Sequence, residues 1–130
     1  MSLLLDTCAV LWLAGEPERL SKTIRQDLAA PSQQVAVSAI TGGELACLVQ
    51  RERLSLPCHW RRWFRQAIDS NGWSVFPVDL NTIEEAYSLP DAFHTDPADR
   101  ILVATARIHR FTLVTGDKKI LDYPHVQSVC

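Results

Sequence analysis

The sequence predicts an α/β protein, a three-layer α/β/α sandwich around a central, mostly parallel sheet. Short apolar runs recur along the chain, and each is followed by a stretch whose apolar residues have helical spacing. This alternation is typical of parallel sheets with helical crossovers. The runs are apolar throughout, as strands are when helices cover both faces of the sheet. We expect residues 1–130 to form a single domain.

The first strand is predicted at Leu3–Leu5, because three consecutive leucines are too apolar for a strand with one face in water. Asp6 ends this strand and is a good N-cap for a helix that closes near residues 15–17, where the sequence reads Gly-Glu-Pro. Ser21 caps a second helix, which the Pro-Ser pair at 31–32 ends.

A second buried strand is predicted at residues 35–37, where the sequence reads Val-Ala-Val. Ser38 and Thr41 compete as the start of the third helix, which carries Glu44. Pro57 fits the first turn of a fourth helix, since a proline there costs no helical hydrogen bond.

A third strand is predicted at residues 73–76, directly after an Asn-Gly turn. A helix that begins at Asn81 must stop near Pro90. The clearest helix start of the whole chain is Asp96-Pro97, which combines a good N-cap with a proline at the first helical position.

The last part of the chain contains a predicted buried strand at residues 111–115 and a short helix that begins at Asp117. Valines at 126 and 129 indicate a final short strand. Asp6 and Asp117 therefore each follow a buried strand. In open α/β sheets, ligands bind at this edge of the sheet.

Composition excludes several classes of protein. The chain is 47% hydrophobic with a net charge of -2, which is unlike the strongly basic proteins that coat nucleic acids. Its four cysteines have no metal-ligand spacing with one another or with the four histidines, which favours free thiols over a zinc site. No window approaches the roughly 20 apolar residues of a membrane span. We expect a cytoplasmic protein with no membrane partner.

Four carboxylates recur at the ends of strands or in the first turns of helices, namely Asp6, Glu44, Asp99 and Asp117. Each has a simple structural interpretation as a helix cap or as an acidic residue beside the positive end of a helix dipole. A parallel sheet, however, brings these strand ends to one edge. Carboxylates that lie close together without a counter-charge resist ionising, and a divalent cation removes that cost.

A shared metal site is therefore favoured over four independent caps. Oxygen ligands alone, with no histidine or cysteine at matching places, favour Mg²⁺ or Mn²⁺ over zinc. Such an ion binds substrate phosphate and activates a water for attack on phosphorus, which is the chemistry of phosphodiester hydrolysis. Metal-free ribonuclease chemistry would need paired histidines as acid and base, and the four histidines are scattered along the sequence.

Four sequence motifs together resemble those of the PIN-domain ribonucleases, and among these the VapC-type toxins of type II toxin–antitoxin pairs. The motifs are LLLDT, SAITGGELA, LPDAFHTDPADRILVATA and TLVTGD, in this order along the chain. The resemblance implies an α/β/α fold and an endoribonuclease that hydrolyses RNA phosphodiester bonds with a Mg²⁺- or Mn²⁺-activated water.

The resemblance also implies roles for particular residues. It assigns metal binding and catalysis to Asp6, Glu44, Asp99 and Asp117, with Asp96 as an auxiliary acid and with hydroxyl support from Thr7 and Thr115. Basic residues beside the acids in sequence are possible contacts to RNA phosphates, and these are Arg100, Lys118 and Lys119. The paired glycines before Glu44 depart from the family pattern, in which bulky residues are common at these positions. They either weaken the helix or leave room for a partner.

The expected partners are an RNA substrate and a small cognate antitoxin protein, in a homodimer or a toxin–antitoxin hetero-oligomer. A basic, aromatic region at residues 51–65 is a candidate surface for antitoxin or RNA. The simpler interpretation is that Trp60 and Trp63 belong to the core and that the arginines form a solvated helix face.

Two other functions are compatible with parts of the sequence. The chain is an RNA-binding or scaffold module without catalysis if its acids serve only as helix caps. Asp6-Thr7 after a buried strand also fits a phosphatase of the haloacid-dehalogenase type. That family needs a second aspartate at position 8, where this chain has Cys8.

Overall fold

The computed structural model describes residues 2–130 and confirms the α/β/α architecture. Its five strands form one sheet in the order β3-β2-β1-β4-β5, and every pairing between neighbours is parallel. The central strand β1 lies between β2 and β4, so the carboxyl ends of these three parallel strands lie at the same edge of the sheet. The strands are β1 Ser2–Leu5, β2 Gln34–Ser38, β3 Ser74–Phe76, β4 Thr112–Val114 and β5 Ser128–Val129.

Seven α-helices and a short 3-10 turn at Pro17–Arg19 connect the strands of the described chain. Most of the predicted caps are confirmed, since the side chains of Asp6, Ser21 and Asp96 each accept a backbone N–H of the helix that follows. The helices are α1 Thr7–Gly15, α2 Lys22–Ala29, α3 Ala39–Gln50, α4 Trp60–Asn71, α5 Leu80–Ala86, α6 Pro97–His109 and α7 Lys118–Leu121.

Two helix starts differ from the prediction. Helix α4 begins at Trp60 rather than near Pro57, because the ring nitrogen Nδ1 of His59 accepts the N–H of Arg61 and caps the helix. Helix α5 begins one residue before Asn81, because Asp79 accepts both the N–H and the hydroxyl of Thr82 at 2.9 and 2.7 Å.

Of the two residues that compete as the start of α3, Ser38 is its N-cap in the structure. The Ser38 hydroxyl accepts the N–H of Ile40 at 3.1 Å. Thr41 is buried inside the first turn and does not begin the helix. Ser38 therefore caps α3 without help from Glu44, which lies in the second turn.

The core lies on both faces of the sheet, as the apolar strands predicted. Leu3 and Leu5 pack into one cluster with α1, α2 and the Phe64 face of α4. Leu4, which points the other way, packs with Leu102 and other residues of α6. The sheet is thus held rigidly between two helical layers. This arrangement fixes the positions of the loops and helix starts at the carboxyl ends of the strands.

The basic, aromatic region follows the simpler of its two interpretations for the tryptophans. Trp60 and Trp63 are partly buried against the first core cluster. The arginines at 51, 53, 61, 62 and 65 are exposed. None of the helices in residues 2–130 is long and apolar enough to cross a membrane.

Candidate active site

The candidate site lies at the carboxyl edge of the sheet, where β1 and β4 end side by side. Leu5 and Val114 are paired in register, and the N–H of Asp6 donates to the carbonyl of Val114 at 3.1 Å. This contact brings the chain after β1 next to the chain after β4. Asp6 and Asp117 are thereby placed at one point of the edge, although more than a hundred residues separate them in sequence.

Asp6 is the most buried of the acids, with 5% of its surface exposed. Its Oδ1 accepts the N–H of Ala9 at 2.7 Å, so the residue does cap α1. Burial raises the pKa of Asp6, and the charge of Asp117 adds to the shift. The Thr115 hydroxyl and the backbone N–H groups of Ala9 and Cys8 act in the opposite direction.

Glu44 reaches the site from the second turn of α3. The buried hydroxyl of Thr7 donates a short hydrogen bond to Oε1 of Glu44 and lies 3.3 Å from the hydroxyl of Thr41. Burial raises the pKa of Glu44, the hydrogen bond from Thr7 lowers it, and the charges of Asp96 and Asp6 raise it further. The side chain is therefore held in place before any ligand binds.

Among the four acids, the pKa of Asp99 is raised furthest. Its backbone N–H donates to Oδ1 of Asp96 at 3.1 Å, so Asp96 caps α6 and Asp99 projects from the first turn. Burial raises the pKa of Asp99 to about 7, and the charges of Asp96, Asp117, Glu44 and Asp6 raise it in that order. The other three acids of the predicted set thus all lie close enough to Asp99 to raise its pKa.

Asp117 is held by its neighbours on both sides. Its N–H donates to the hydroxyl of Thr115 at 3.0 Å, and its Oδ1 accepts the N–H of Lys119 at 2.9 Å. Thr115 is fully buried, so this hydroxyl is a fixed anchor at the end of β4. The predicted support from a hydroxyl is present at both ends of the site, from Thr7 beside Glu44 and from Thr115 beside Asp117.

His94 is a member of the site that the sequence reasoning missed. One nitrogen of its ring and one carboxylate oxygen each from Asp99 and Asp117 lie within 4.8 Å of one another. A ring nitrogen therefore lies beside two of the predicted oxygen ligands. His94 lies in the loop before α6, where periodicity carries no information. The only available signal was its place within the FHTDPADR part of the third motif.

The donor set fits a divalent cation. Asp6, Glu44 and Asp99 all have raised pKa values, first because they are buried and then because other carboxylates repel their charge. Mg²⁺ and Mn²⁺ prefer carboxylate oxygens, and a bound cation would relieve this repulsion. A buried ring nitrogen of His94 that has no hydrogen-bond partner among the described residues also faces this group.

Other residues at the edge of the site have different surroundings. Arg100 donates from its guanidinium to the carbonyls of Ala86, Phe93 and His94, each at 3.0 Å. Its donors are used inside the chain, so a contact to an RNA phosphate does not fit this residue. Lys118 and Lys119 are exposed at the start of α7.

Cys8 lies at the rim of the acidic site, where burial and then the charges of the four acids raise its pKa to about 11. The thiol is therefore kept protonated at neutral pH. Cys47, Cys58 and Cys130 are also free thiols.

A comparison with a curated protein shows a relative over nearly the whole chain. Ribonuclease VapC22 of Mycobacterium tuberculosis is 33% identical over 128 residues, which cover 98% of this chain and 96% of the relative.

Solved structures share the fold at lower identity. A toxin–antitoxin complex from Klebsiella pneumoniae contains a chain that is 24% identical, with a TM-score of 0.68 and coverage of 98% of this chain and 96% of that one. VapBC2 from Rickettsia felis, bound to a DNA fragment from its promoter, is 16% identical, with a TM-score of 0.71 and coverage of 99% and 98%.

The family model of the PIN domain matches residues 3–126, a range that includes every acid of the candidate site. This range, the sheet order and the relative at 33% identity agree with the resemblance that the four motifs indicated. The chain belongs to the PIN domain family, and within it to the VapC-type proteins.

Proposed function

We propose that the chain is a Mg²⁺- or Mn²⁺-dependent endoribonuclease that acts as the toxin of a type II toxin–antitoxin pair. One observation carries the proposal: acids from four separate segments lie at one edge of the sheet, where burial and neighbouring carboxylates raise the pKa of Asp6, Glu44 and Asp99. The name of the relative, ribonuclease VapC22, supports RNA as the substrate. The similar structure from Klebsiella pneumoniae is a toxin–antitoxin complex, which supports the antitoxin partner.

In this proposal Asp6, Glu44, Asp99 and Asp117 hold the cation. When bound, a divalent cation polarises the phosphoryl group and lowers the pKa of a water beside it. The residues of the chain supply position and charge. Thr7 orients Glu44, and Thr115 orients the backbone of Asp117. The exposed Lys118 and Lys119 lie beside Asp117 and are suited to contact phosphates of the RNA.

The alternative, a binding module whose acids are only caps, accounts for part of the set. Asp6 and Asp117 do accept backbone N–H groups of α1 and α7. Asp99 caps nothing, since Asp96 caps α6, and Glu44 lies in the second turn of a helix that Ser38 caps. Capping therefore gives Glu44 no structural role, and the helix dipole favours an acid at Asp99 without explaining why it lies half-buried beside other acids. A cation site accounts for both residues.

An antitoxin is proposed to bind the face formed by α3 and α4. Between these helices lies a groove of about 240 Å³ lined by Gly42, Trp60, Phe64 and others, with Arg61 and Arg65 at its border. An apolar groove with arginines at its border is the kind of surface that binds an amphipathic segment carrying acidic residues.

The oligomeric state, the cytoplasmic location and the single-domain boundaries remain predictions from the sequence.

The proposal is tested with the substitution Asp99→Asn in the purified protein and in a growth assay. We expect the variant to bind Mn²⁺ weakly, to leave RNA uncleaved and to allow growth, since an amide cannot replace the charged ligand. Asp69→Asn, an exposed site on α4, is the matched control and keeps full activity. Cleavage by Asp99→Asn at the wild-type rate with Mg²⁺ would refute the metal-dependent mechanism.

A further inference from the structure

The imidazole of His94 is held against the acids by an unusual set of contacts. Its Nε2 lies 3.1 Å from Oδ2 of Asp99. One ring nitrogen of His94 and one carboxylate oxygen each of Asp99 and Asp117 lie within 4.8 Å of one another. Yet Nε2 is inaccessible to solvent and has no hydrogen-bond partner among residues 2–130. A buried nitrogen without a hydrogen bond is costly, and such an atom calls for a ligand.

The loop that carries His94 is fixed independently of any ligand. Arg100 binds the carbonyl oxygens of Phe93 and His94 and, farther back, that of Ala86. The ring of Phe93 lies 4.4 Å from that of His94 and 4.7 Å from that of Tyr123, measured between ring centroids. Tyr123 in turn donates to the carbonyl of Pro90. The backbone on both sides of His94 is therefore preorganised.

We infer that His94 is a further metal ligand of this site, through Nε2 and beside Asp99 and Asp117, and that it biases the site toward Mn²⁺ over Mg²⁺. The inference rests on the proposed metal-dependent function and adds a ligand to it. Mg²⁺ binds oxygen ligands almost exclusively, whereas imidazole nitrogen is a good ligand for transition metal ions. One nitrogen among carboxylates therefore shifts the preference toward the transition metal.

An alternative role for His94, in which it only orients Asp99, would give a different spectroscopic result. An imidazole that only orients Asp99 would form a hydrogen bond to its carboxylate and would not touch the ion. The 3.1 Å approach of the two atoms is close enough for that bond, but the groups are not aligned for it. The two roles differ in a direct observable, because only a ligand nitrogen shares spin density with a bound paramagnetic ion.

Pulsed electron paramagnetic resonance of Mn²⁺ added to the full-length protein, without RNA, provides the test. We expect nitrogen modulation of the Mn²⁺ signal in the wild type, and we expect labelling of histidine with ¹⁵N to change it. His94→Gln should lose the modulation, whereas His109→Gln, at the other end of α6, should keep it. Because the labelled wild type is itself informative, the test does not depend on how well the variant folds.

Calorimetry completes the test. His94→Gln should lower the Mn²⁺ affinity by roughly tenfold or more and the Mg²⁺ affinity by less. Mn²⁺ that binds the wild type without nitrogen modulation, or modulation that persists in His94→Gln, overturns the role of His94 and leaves the carboxylate site standing. A wild-type protein that binds no Mn²⁺ overturns both this inference and the metal-dependent function.

Discussion

The hydroxyl of Thr7 donates a hydrogen bond to the carboxylate of Glu44 and so joins the first residue of α1 to the second turn of α3. Thr7 immediately follows Asp6, the acid at the end of the central strand. A single dipeptide therefore supplies one acid and orients another. The burial of Thr7, which is 7% exposed, keeps water from competing for this bond.

Replacing Thr7 with valine should weaken metal binding without unfolding the protein. Valine has nearly the same shape but no hydroxyl, so Glu44 loses the hydrogen bond that lowers its pKa. We expect roughly a tenfold loss of Mn²⁺ affinity by calorimetry and a parallel loss of RNA cleavage. Thr7→Ser keeps the hydroxyl and should retain most of the affinity. Equal affinities for the serine and valine variants would show that the bond plays no part.

Gly116 should not tolerate a side chain. A β-carbon built on Gly116 would lie 2.1 Å from Cη2 of Trp12. The Trp12 ring packs on the core, and the guanidinium of Arg19 lies 4.8 Å from its centroid, so the indole cannot withdraw freely. We expect Gly116→Ala to lower the free energy of unfolding by about 1–3 kcal/mol in urea denaturation. Adding Trp12→Ala should cancel most of the extra loss, and simple additivity would refute the clash.

Gly43→Ala should have the opposite effect. Gly43 lies in α3 with open space around it, and nothing would come within 4 Å of a new β-carbon. Alanine is the better helix former, so we expect a gain of about 0.5–1 kcal/mol in the free energy of unfolding. Urea denaturation beside Gly116→Ala checks it. A loss of stability at position 43 would contradict the open space around this glycine.

These glycines show what the sequence could and could not predict. The structure confirms the parallel strands and the caps at Asp6 and Asp96, because each depends on local chemistry and on the alternation of strands and helices. For Gly42 the sequence offered a weakened helix or room for a partner. In the structure, a β-carbon there would lie 3.6 Å from the ring of Phe64, which is ordinary van der Waals contact, so the packing of α4 on α3 does not require this glycine.

His94 and Arg100 show the second limit of sequence reasoning. Arg100 follows an acid in a helix start, where a solvated or phosphate-binding side chain is the ordinary expectation. Its actual partners, the carbonyls of Ala86, Phe93 and His94, belong to a loop whose path has no periodic signal. The position of His94 depends on that same path. Both residues belong to the third sequence motif, but the sequence alone does not predict their contacts.

Replacing Arg100 with lysine should loosen the loop that carries His94. An ammonium group cannot reproduce the planar fork that reaches three carbonyls at once. We expect faster amide hydrogen exchange in residues 87–95 and a lower Mn²⁺ affinity. Arg62→Lys, at an exposed position on α4, is the matched control and should change neither quantity. Unchanged exchange in Arg100→Lys would contradict the anchoring role.

Asp99 should make the metal-free protein less stable as the pH rises. Its pKa lies at about 7 in the folded state against an ordinary value of 3.8, so the folded protein binds this proton more tightly than the unfolded chain does. The stabilising contribution is thus complete below about pH 4 and is lost as the pH rises through 7. Asp99→Asn has no such proton, and Asn leaves the backbone cap from Asp96 intact.

In urea denaturation with a chelator present, we therefore expect Asp99→Asn to gain stability over the wild type between pH 4.5 and 7.5. Mn²⁺ should reverse the order at pH 7.5, because metal ligands must be deprotonated and only the wild type keeps the full set. At pH 4.5 the metal should stabilise the wild type much less than at pH 7.5, since a proton then occupies Asp99. A stability difference that shows no dependence on pH would mean that the Asp99 carboxylate is ionised in the folded protein throughout this range.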